Sequence, residues 1–428
     1  MWAGKPKPPK PKCRRIEQNN LGRVSLVNDT TVASQSTQGL NPASASFSSR
    51  AAAVAAIATR HAADVDGASR FPREAFDAIR SERLLGIQVP ERLGGAGASV
   101  REVADVCYRL AQACSSTGMI YAMHQVKVAC LVRHGVASAA IAQMLRRLAS
   151  EQLLLASSTT EGQGGGNVRS SQAPVEQRDG KIHLERRASV ISYGAEADGI
   201  VTTARRSADA DGSDQVLIAF LKDDYTLTRL QGWNTLGMRG TCSQGYNLIA
   251  SGTPDQILPE PYAGIHAHTM VPTAHLYWGS VWAGIAASAA ARAQAFVRNA
   301  ARHSGGQMPP GATQLTAALR ALRTLRAVLA TSLSAYEERL GDAKALGSID
   351  FQSLITLTKV QVSDLAVEAV LTALRVCGLS GYRCDSEFSV ERQLRDVLSS
   401  PLMINNDRIL SGLAGTLLMM PIPASVSE

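Results

Sequence analysis

The stretch 315-LTAALRALRTLRAVLATSL-333 carries the clearest periodicity in the chain. Its leucines recur at intervals of three or four residues, which places them along one face of an α-helix. The pattern predicts an amphipathic helix of about 30 residues, with a length of about 45 Å. Helical patterns of this kind extend from about residue 272 to residue 420, so the sequence predicts a helical bundle in its C-terminal part.

The segment between residues 153 and 258 has a different pattern. Short runs rich in β-branched and aromatic residues occur at 200–203, 216–220 and 246–249, and clusters of Gly, Asp and Asn separate them. Such runs and spacers are typical of strands joined by hairpin-like connections. The middle of the chain is therefore predicted to be a small β domain.

Helical patterns also precede the β segment, from about Ser48 to Ser150, with Pro72 at a predicted helix start. The residues before them are rich first in Pro and Lys and then in Ser, Thr, Gln and Asn, a composition that cannot bury a core. We therefore predict a disordered extension, an N-terminal helical domain, a middle β domain and a C-terminal helical bundle. Their predicted bounds are 1–45, 46–152, 153–262 and 263–428.

The net charge of +8 is concentrated at the N-terminus. Residues 1–25 contain seven Lys and Arg against one acidic residue, Glu17, so the remainder of the chain is close to neutral. A nucleic-acid-binding protein would place its basic residues along a folded groove. The charge distribution therefore argues against nucleic acid as a partner.

The seven cysteines are scattered and show no CxxC spacing. An odd number of dispersed cysteines indicates free thiols in a reducing compartment and argues against a disulfide framework or a zinc site. The chain has no run of about 18 apolar residues and no signal-peptide pattern at its N-terminus. We therefore expect a cytoplasmic protein with no membrane span and no metal centre.

The order helical, β, helical is also the architecture of the acyl-CoA dehydrogenase family, and four segments resemble motifs of that family. Residues 158–167, STTEGQGGGN, are similar to the T-E-P-G-x-G-S-D loop that contacts the flavin. Glycines let a backbone approach a ligand closely, and its N–H groups can then meet anionic oxygens. The resemblance implies cofactor-binding roles for Thr159, Thr160, Gly165 and Gly166.

The second segment, VISYGAEAD at 190–198, resembles the W-I-T-N-G-x-x-A-D strand and turn that lies along the flavin. The resemblance implies that Ile191 and Ser192 bind the cofactor, with the Ser192 hydroxyl near flavin N5. Val190 replaces the family's Trp, which would open one face of the ring. The third segment, LGMRGT at 236–241, is similar to the family's L-G-x-R-x-S/T loop.

The fourth segment comprises CGLSGY at 377–382 and VERQLRD at 390–396. It resembles the G-G-x-G-Y and P-V-E-R-x-x-R-D motifs. The resemblance implies that Gly378 and Gly381 contact the FAD of a neighbouring subunit. Arg302 stands where the family has an Arg that contacts the FAD pyrophosphate.

Membership of this family would imply a mostly α, α+β fold with an N-terminal helical domain, a small β-barrel-like middle domain and a C-terminal four-helix bundle. The implied cofactor is FAD, with FMN as the alternative, and the implied assembly is a homotetramer or homodimer. The implied reaction is α,β-dehydrogenation of an acyl-CoA or other acyl thioester, with hydride transfer to flavin N5. Electrons would leave to an external acceptor such as an electron-transfer flavoprotein.

The sequence departs from the family at the catalytic base, because Ile404 occupies the position of the usual Glu. A minority of members carry the Glu on the helix that begins near Pro272, and the corresponding residues 273–276 include no carboxylate. Three residues are possible substitutes for the base. They are Asp407, three residues after Ile404, His275, whose imidazole titrates near neutral pH, and Glu161 in the loop that resembles the flavin-binding motif. The family's Glu at the last position is structural.

The missing base leaves two other classes of function open. Flavin-dependent monooxygenases of this fold accept reduced flavin, use O2 and need no α-proton base. They need a pocket that shelters the oxygen-activated flavin, often with His and Ser nearby, and His124, Ser157 and Ser158 lie in segments that could line it. The other class is a flavin-binding partner subunit without chemistry of its own.

Overall fold

The computed structural model of the chain describes residues 45–161, 170–422 and 424–425. This part of the chain begins with five α-helices. The predicted extension, residues 1–45, lies outside this part except for its last residue. Ser46 caps the first helix, and Ser99 with Glu102 forms a capping box at the third, so both helix starts are encoded locally. The helices are α1 (Phe47–Gly67), α2 (Arg73–Ser81), α3 (Val100–Ala113), α4 (Ser115–His134) and α5 (Ala139–Glu151).

Among the described residues, seven strands follow and form two sheets, of three and four strands. They are β1 (Leu155–Ser158), β2 (Glu176–Arg178), β3 (Lys181–Ile191), β4 (Gly199–Arg205), β5 (Gln215–Leu221), β6 (Tyr225–Gln231) and β7 (Gln244–Gly252). The first sheet has the order β1-β4-β5 and the second has the order β2-β3-β7-β6. Of the strand pairs in the described ranges, β1–β4 is parallel and the others are antiparallel. The predicted runs at 200–203, 216–220 and 246–249 lie in β4, β5 and β7.

The sequence pattern did not identify β3 as a long strand, because charged residues interrupt its apolar positions. Burial alternates along Lys181–Ala188, so that the charged side chains of Glu185 and Arg187 face solvent while Leu184 is buried. This period of two is the pattern of a strand with one solvated face. A search for continuous apolar runs misses strands of this kind.

The remaining elements are helical, and the mostly helical fold with a small sheet domain in the middle is confirmed. Three long helices, α7, α8 and α10, pack on one another, and α13 packs against α10. The predicted leucine helix is α8, in which Leu325, Leu329 and Leu333 are buried. The helices are α6 (Tyr262–Ile265), α7 (Val271–His303), α8 (Ala312–Glu338), α9 (Ala343–Leu346), α10 (Ile349–Cys377), α11 (Leu379–Tyr382), α12 (Glu391–Val397) and α13 (Asn406–Leu417).

Helix α7 joins the parts of the molecule, because it packs against α3 and α4 as well as against α8 and α10. A π-helical turn, His266–Met270, connects α6 to α7. Buried side chains from the helices and from both sheets form one continuous core. No helix in the described ranges is both long enough and apolar enough to cross a bilayer.

Candidate active site

A cavity of about 450 Å³ lies where the sheets meet the helices. Its walls come from the C-terminal ends of β1 and β3, from α4, from the α6–α7 junction and from residues 402–408, which precede and begin α13. Two of the four segments that resemble family motifs contribute side chains to it. Three residues for which the sequence predicts cofactor binding, Thr159, Thr160 and Ser192, line the cavity, and Ile191 does not. Their cofactor-binding role stays a prediction.

The end of β1 directs alternate side chains into the cavity. Ser157 lines the cavity, whereas the Ser158 side chain is fully buried on the opposite side of the strand. The Ser158 backbone carbonyl accepts a hydrogen bond from Thr202 Oγ1 at 2.8 Å. Thr159 and Thr160 then follow the strand along the wall. Gly165 and Gly166 lie outside the described residues.

Glu161 is held by the sheet and does not reach the cavity. Its carboxylate pairs with the buried Arg186 at 2.9 Å and accepts hydrogen bonds from the Ser171 hydroxyl at 2.8 Å and the Gln172 backbone at 2.7 Å. An acid with three such partners is committed to structure. Glu161 therefore anchors the loop and is not available as a base.

A β-bulge at the end of β3 decides which side chains face the cavity. Ala188 pairs with Tyr246, but Ile191 pairs with Gln244, so the register shifts between them. The shift leaves Ser189, Val190 and Ser192 on the cavity wall. The side chain of Ile191 is instead fully buried in the core, which is why it does not line the cavity.

Ser192 begins a chain of hydroxyl groups that leads away from the cavity. Its Oγ lies 2.8 Å from Ser243 Oγ, which lies 2.8 Å from Thr241 Oγ1. Thr241 Oγ1 donates to the backbone carbonyl of Met238 at 2.8 Å. The sequence did not predict this chain, because Ser192 and Ser243 are 51 residues apart.

The third and fourth motif segments pack on each other and hold the turn that ends this chain. The Met238 backbone N–H donates to Asp396 Oδ1 at 2.6 Å, and a side chain on Gly237 would come within 2.2 Å of the Arg395 carbonyl oxygen. Burial raises the pKa of Asp396 to about 6. The turn contains Met238 and Cys242 in the left-handed region, at φ values of 52° and 47°. A strained turn of this kind persists only where its surroundings fix it.

The wall that would carry the family's base carries no acid. Ile404 lines the cavity, and no Asp or Glu belongs to the lining among the residues that the structure describes. Ile404 adopts a φ of 54°, which is unusual for a β-branched residue. Its carbonyl accepts a hydrogen bond from Lys359 Nζ at 2.5 Å.

Asp407 and His275, the other two possible substitutes for the base, lie outside the cavity. Asp407 is exposed in the first turn of α13, while its neighbours Asn405 and Arg408 face the cavity. On α7 the residues at the cavity are Val271, Ala274 and Trp278, one helical face, and His275 points instead toward α10. Its Nδ1 lies 3.1 Å from the Ile355 carbonyl oxygen, and burial lowers the pKa of His275 to about 4.

His124 also serves a structural purpose. The Leu155 backbone N–H donates to its Nδ1 at 3.0 Å, so Nε2 carries the proton and donates to the Leu85 carbonyl at 2.9 Å. Burial lowers the pKa of His124 to about 4, which keeps the ring neutral. His124 therefore fixes the start of β1 and does not line the cavity.

The residues predicted to reach the cofactor's distal part are likewise not in the cavity lining. Arg302 is exposed in the last turn of α7, and its Nε donates to the Arg298 carbonyl at 3.3 Å. Gly378 ends α10 with a φ of 54°, and Gly381 is buried in α11. The predicted ligand of these two glycines is the cofactor of another subunit, so their role stays a prediction.

Lys127 is one of several lining residues that the sequence analysis did not identify. It is only 4% exposed, and its Nζ lies 3.5 Å from the Met270 sulfur atom. No carboxylate within the described ranges forms an ion pair with it, and burial lowers the pKa of Lys127 to about 8. The signal was a single Lys within the mostly apolar and buried helix α4. Trp278 lines the same cavity, and its buried Nε1 has no hydrogen-bond partner among the described residues.

Comparisons with known proteins show which family and fold this chain resembles. The family model "Acyl-CoA dehydrogenase, N-terminal domain" matches residues 46–152. A probable acyl-CoA dehydrogenase of Mycobacterium tuberculosis, FadE25, is 27% identical over 346 residues, which are 78% of this chain and 85% of the relative. The 3-sulfinopropanoyl-CoA desulfinase of Paraburkholderia xenovorans is 26% identical over 87% of this chain and 94% of its own.

Solved structures with this fold include monooxygenases. FMN-bound TdsC from Paenibacillus sp. A11-2 superposes with a TM-score of 0.77 at 19% identity and covers 88% of this chain and 98% of its own. A nitrososynthase from Micromonospora carbonacea var. africana has a TM-score of 0.76 at 22% identity, with coverage of 89% and 98%. The chain therefore carries the N-terminal domain of the acyl-CoA dehydrogenase family, and its fold is the fold of that family.

Proposed function

We propose that this protein is a flavin-dependent monooxygenase that receives its flavin in the reduced form. The observation that carries the proposal is the absence of a carboxylate from the described lining of the cavity. Removal of an α-proton from an acyl thioester requires a base placed over the reacting carbon. Oxygenation by reduced flavin and O2 does not require that base, so a cavity with Ile404 in the acid's place is suited to it.

The residues present fit a flavin ring. A volume of about 450 Å³ falls within the usual range of roughly 300–1,000 Å³ for small-molecule sites. Val190 and Trp278 supply apolar walls, and Thr159, Thr160 and Ser192 supply hydroxyls along one side. The buried Trp278 Nε1 offers a further donor to a ligand. The sequence motifs favour FAD, and the TdsC structure contains FMN; the ring that this cavity would hold is common to both.

Each part of the lining has a separate task in the proposed reaction. When bound, reduced flavin would supply oxygen-transfer chemistry with O2: one oxygen atom would go to the substrate, and the other would leave as water with two electrons and the N5 proton of the flavin and one proton from solvent. Thr159 and Thr160 would position the ring. The apolar side chains of Met123, Val126 and Met403 would exclude water, which protects the reacting groups from hydrolysis and side reactions.

An acyl-thioester dehydrogenase is the second candidate, because one observation favours it. His266, in the π-helical turn, lines the cavity, and a neutral imidazole can accept a proton. The similar curated proteins include acyl-CoA dehydrogenases. In this case the acceptor of the electrons would be a separate protein.

The experiment that tests the proposal follows labelled oxygen. The protein is given chemically reduced FMN or FAD, ¹⁸O2 and a panel of small acceptors that are named with proteins of this fold: indole, dibenzothiophene and methanesulfinate. We expect mass spectrometry to find one ¹⁸O atom in the product of at least one acceptor. Label found only in water or hydrogen peroxide, with every acceptor unchanged, would contradict the proposal for this panel.

A matched pair of variants links the product to the cavity. The double variant Thr159→Val, Thr160→Val removes two hydroxyls from the lining, and we expect it to bind reduced flavin about tenfold or more weakly. Thr228→Val removes an exposed hydroxyl on β6 and serves as the control. Equal losses in both variants would mean that the cavity is not the flavin site.

A further inference from the structure

The hydroxyl chain behind the cavity wall has a fixed direction. It runs from Ser192 at the cavity through Ser243 and Thr241 to the carbonyl of Met238, with every oxygen–oxygen distance at 2.8 Å. Ser243 and Thr241 are 5% and 2% exposed, so water does not compete for these bonds. The direction follows from counting protons.

The Met238 carbonyl oxygen can only accept, so its 2.8 Å contact with Thr241 Oγ1 is a hydrogen bond only if Thr241 donates its one hydroxyl proton. Thr241 must then accept from Ser243, and Ser243 must accept from Ser192. The proton of Ser192 therefore points away from the cavity. What Ser192 presents to a ligand is an acceptor lone pair, and the ligand atom that meets it has to be a donor.

The isoalloxazine ring changes its hydrogen-bonding character at one edge when it is reduced. N5 is an acceptor in oxidised flavin and carries a proton in reduced flavin. An acceptor hydroxyl facing N5 therefore makes a hydrogen bond with the reduced ring and opposes a lone pair of the oxidised ring. A buried pair of opposed acceptors costs free energy, because neither group recovers the hydrogen bond that it made with water.

The charge of the cavity also favours binding of the reduced flavin. Reduced flavin is an anion near neutral pH, whereas the oxidised ring is neutral. Lys127 lines the cavity without a carboxylate partner in the described residues, and no Asp or Glu shares the lining. A buried cation is stabilised by a counter-ion, and here that charge would come from the ligand.

We propose that the chain Ser192–Ser243–Thr241–Met238 makes the cavity selective for reduced flavin, with Ser192 accepting a hydrogen bond from N5–H. The inference rests on the proposed function and adds a device for distinguishing the two redox states. Ser192 is the contact residue. Ser243 and Thr241 are positioning residues, since they act only by directing the Ser192 proton.

The test is the ratio of two dissociation constants, for oxidised and for reduced FMN, the latter measured anaerobically. In the wild type we expect reduced FMN to bind at least about fivefold more tightly. Ser243→Ala and Thr241→Val each free the Ser192 proton to point into the cavity, so we expect the ratio to fall toward one in both. The midpoint potential of bound flavin should fall in parallel, because that potential reports the same difference in affinity.

Two controls distinguish the effect of the direction of the hydroxyl chain from the effect of removing any buried hydroxyl group. Ser243→Thr keeps the hydroxyl and should retain the wild-type ratio. Ser332→Ala removes one member of a buried hydroxyl pair, Ser332–Thr358 at 2.7 Å, which lies between α8 and α10, and should leave the ratio unchanged.

Three outcomes would overturn the inference, and they differ in what else they overturn. A wild type that binds neither form defeats the proposed function as well. Equal dissociation constants for oxidised and reduced FMN would contradict only the proposed selectivity. This result is expected if Ser192 accepts a hydrogen bond from N3–H, which both redox states possess. A wild-type preference that survives in both Ser243→Ala and Thr241→Val shows that the chain does not cause it.

Discussion

The side-chain amine of Lys127 is buried, and no carboxylate of the described residues forms an ion pair with it. Burial lowers the pKa of Lys127 to about 8 from 10.5, so the folded protein binds its proton less tightly than the unfolded chain does. The resulting destabilisation is complete below pH 8 and disappears as the pH rises through the unfolded value of 10.5. The other titratable groups that the structure describes around it are Cys130 on the same helix and, in the cavity lining, Tyr262, His266 and Arg408.

We therefore expect Lys127→Met to raise the free energy of unfolding of the ligand-free protein by about 3 kcal/mol below pH 8, with the difference closing near pH 10.5. Denaturant titrations at several pH values measure it. Lys222→Met removes an exposed lysine and should change little. A difference that is independent of pH would mean that the amine of Lys127 is not buried as a charge.

Individual residues also mark the limit of what the sequence could predict at the site. Thr159, Thr160 and Ser192 were predicted from local motifs and line the cavity. Asp407 was chosen by its spacing from Ile404 and His275 by its position on α7 and its titration range, and neither side chain lines the cavity. The spacing of two residues along a helix predicts whether they share a face of that helix. Which part of the protein that face contacts depends on tertiary packing.

At the scale of elements, the turn at 236–241 and helix α12 act as one unit. The sequence alone indicated an ordinary turn, yet Gly237 lies against the Arg395 backbone and Asp396 accepts the Met238 N–H. Arg395 Nη1 also donates to the Leu236 carbonyl at 3.0 Å. The motif in α12 therefore supports the turn whose carbonyl directs the hydroxyl chain.

Substitution of Gly237 tests this coupling. In Gly237→Ala the new methyl group would come within 2.2 Å of a backbone oxygen, which cannot rotate away, so we expect a loss of about 2–3 kcal/mol of unfolding free energy. Gly232→Ala adds the same group where nothing lies within 4 Å and is the control. Similar melting temperatures for the two variants would show that α12 and the turn can separate without cost.

Elements differ in how visible they are in the sequence. The strands β4, β5 and β7 and the helix α8 have strong local patterns, and each was predicted. Strand β3 was obscured by its charged, solvent-facing positions, and β1 is only four residues long. The hydroxyl chain joins β3 to a turn about 50 residues later, and a contact between such distant residues has no signature in local periodicity.

At the scale of the molecule, the helices of both ends and the sheets between them converge on one cavity. The walls from α4, from the α6–α7 junction and from residues 402–408 are mostly apolar, with polar groups from Lys127, Tyr262, His266, Trp278, Asn405 and Arg408. The order of these parts was predictable from composition and periodicity. The chemistry of the cavity was not, because it depends on which side chains of remote segments face each other.

The proposed chemistry is tested most directly by an anaerobic titration. Protein loaded with oxidised FAD is mixed with acyl-CoAs of short, medium and long chain length, and the visible absorbance of the flavin is followed, with an acyl-CoA dehydrogenase as the positive control. We expect the band to persist with every acyl-CoA, because no carboxylate in the described lining can remove the α-proton. Rapid bleaching by any of them would contradict the monooxygenase proposal and would show that another residue, with His266 the first to substitute, acts as the base of a dehydrogenase.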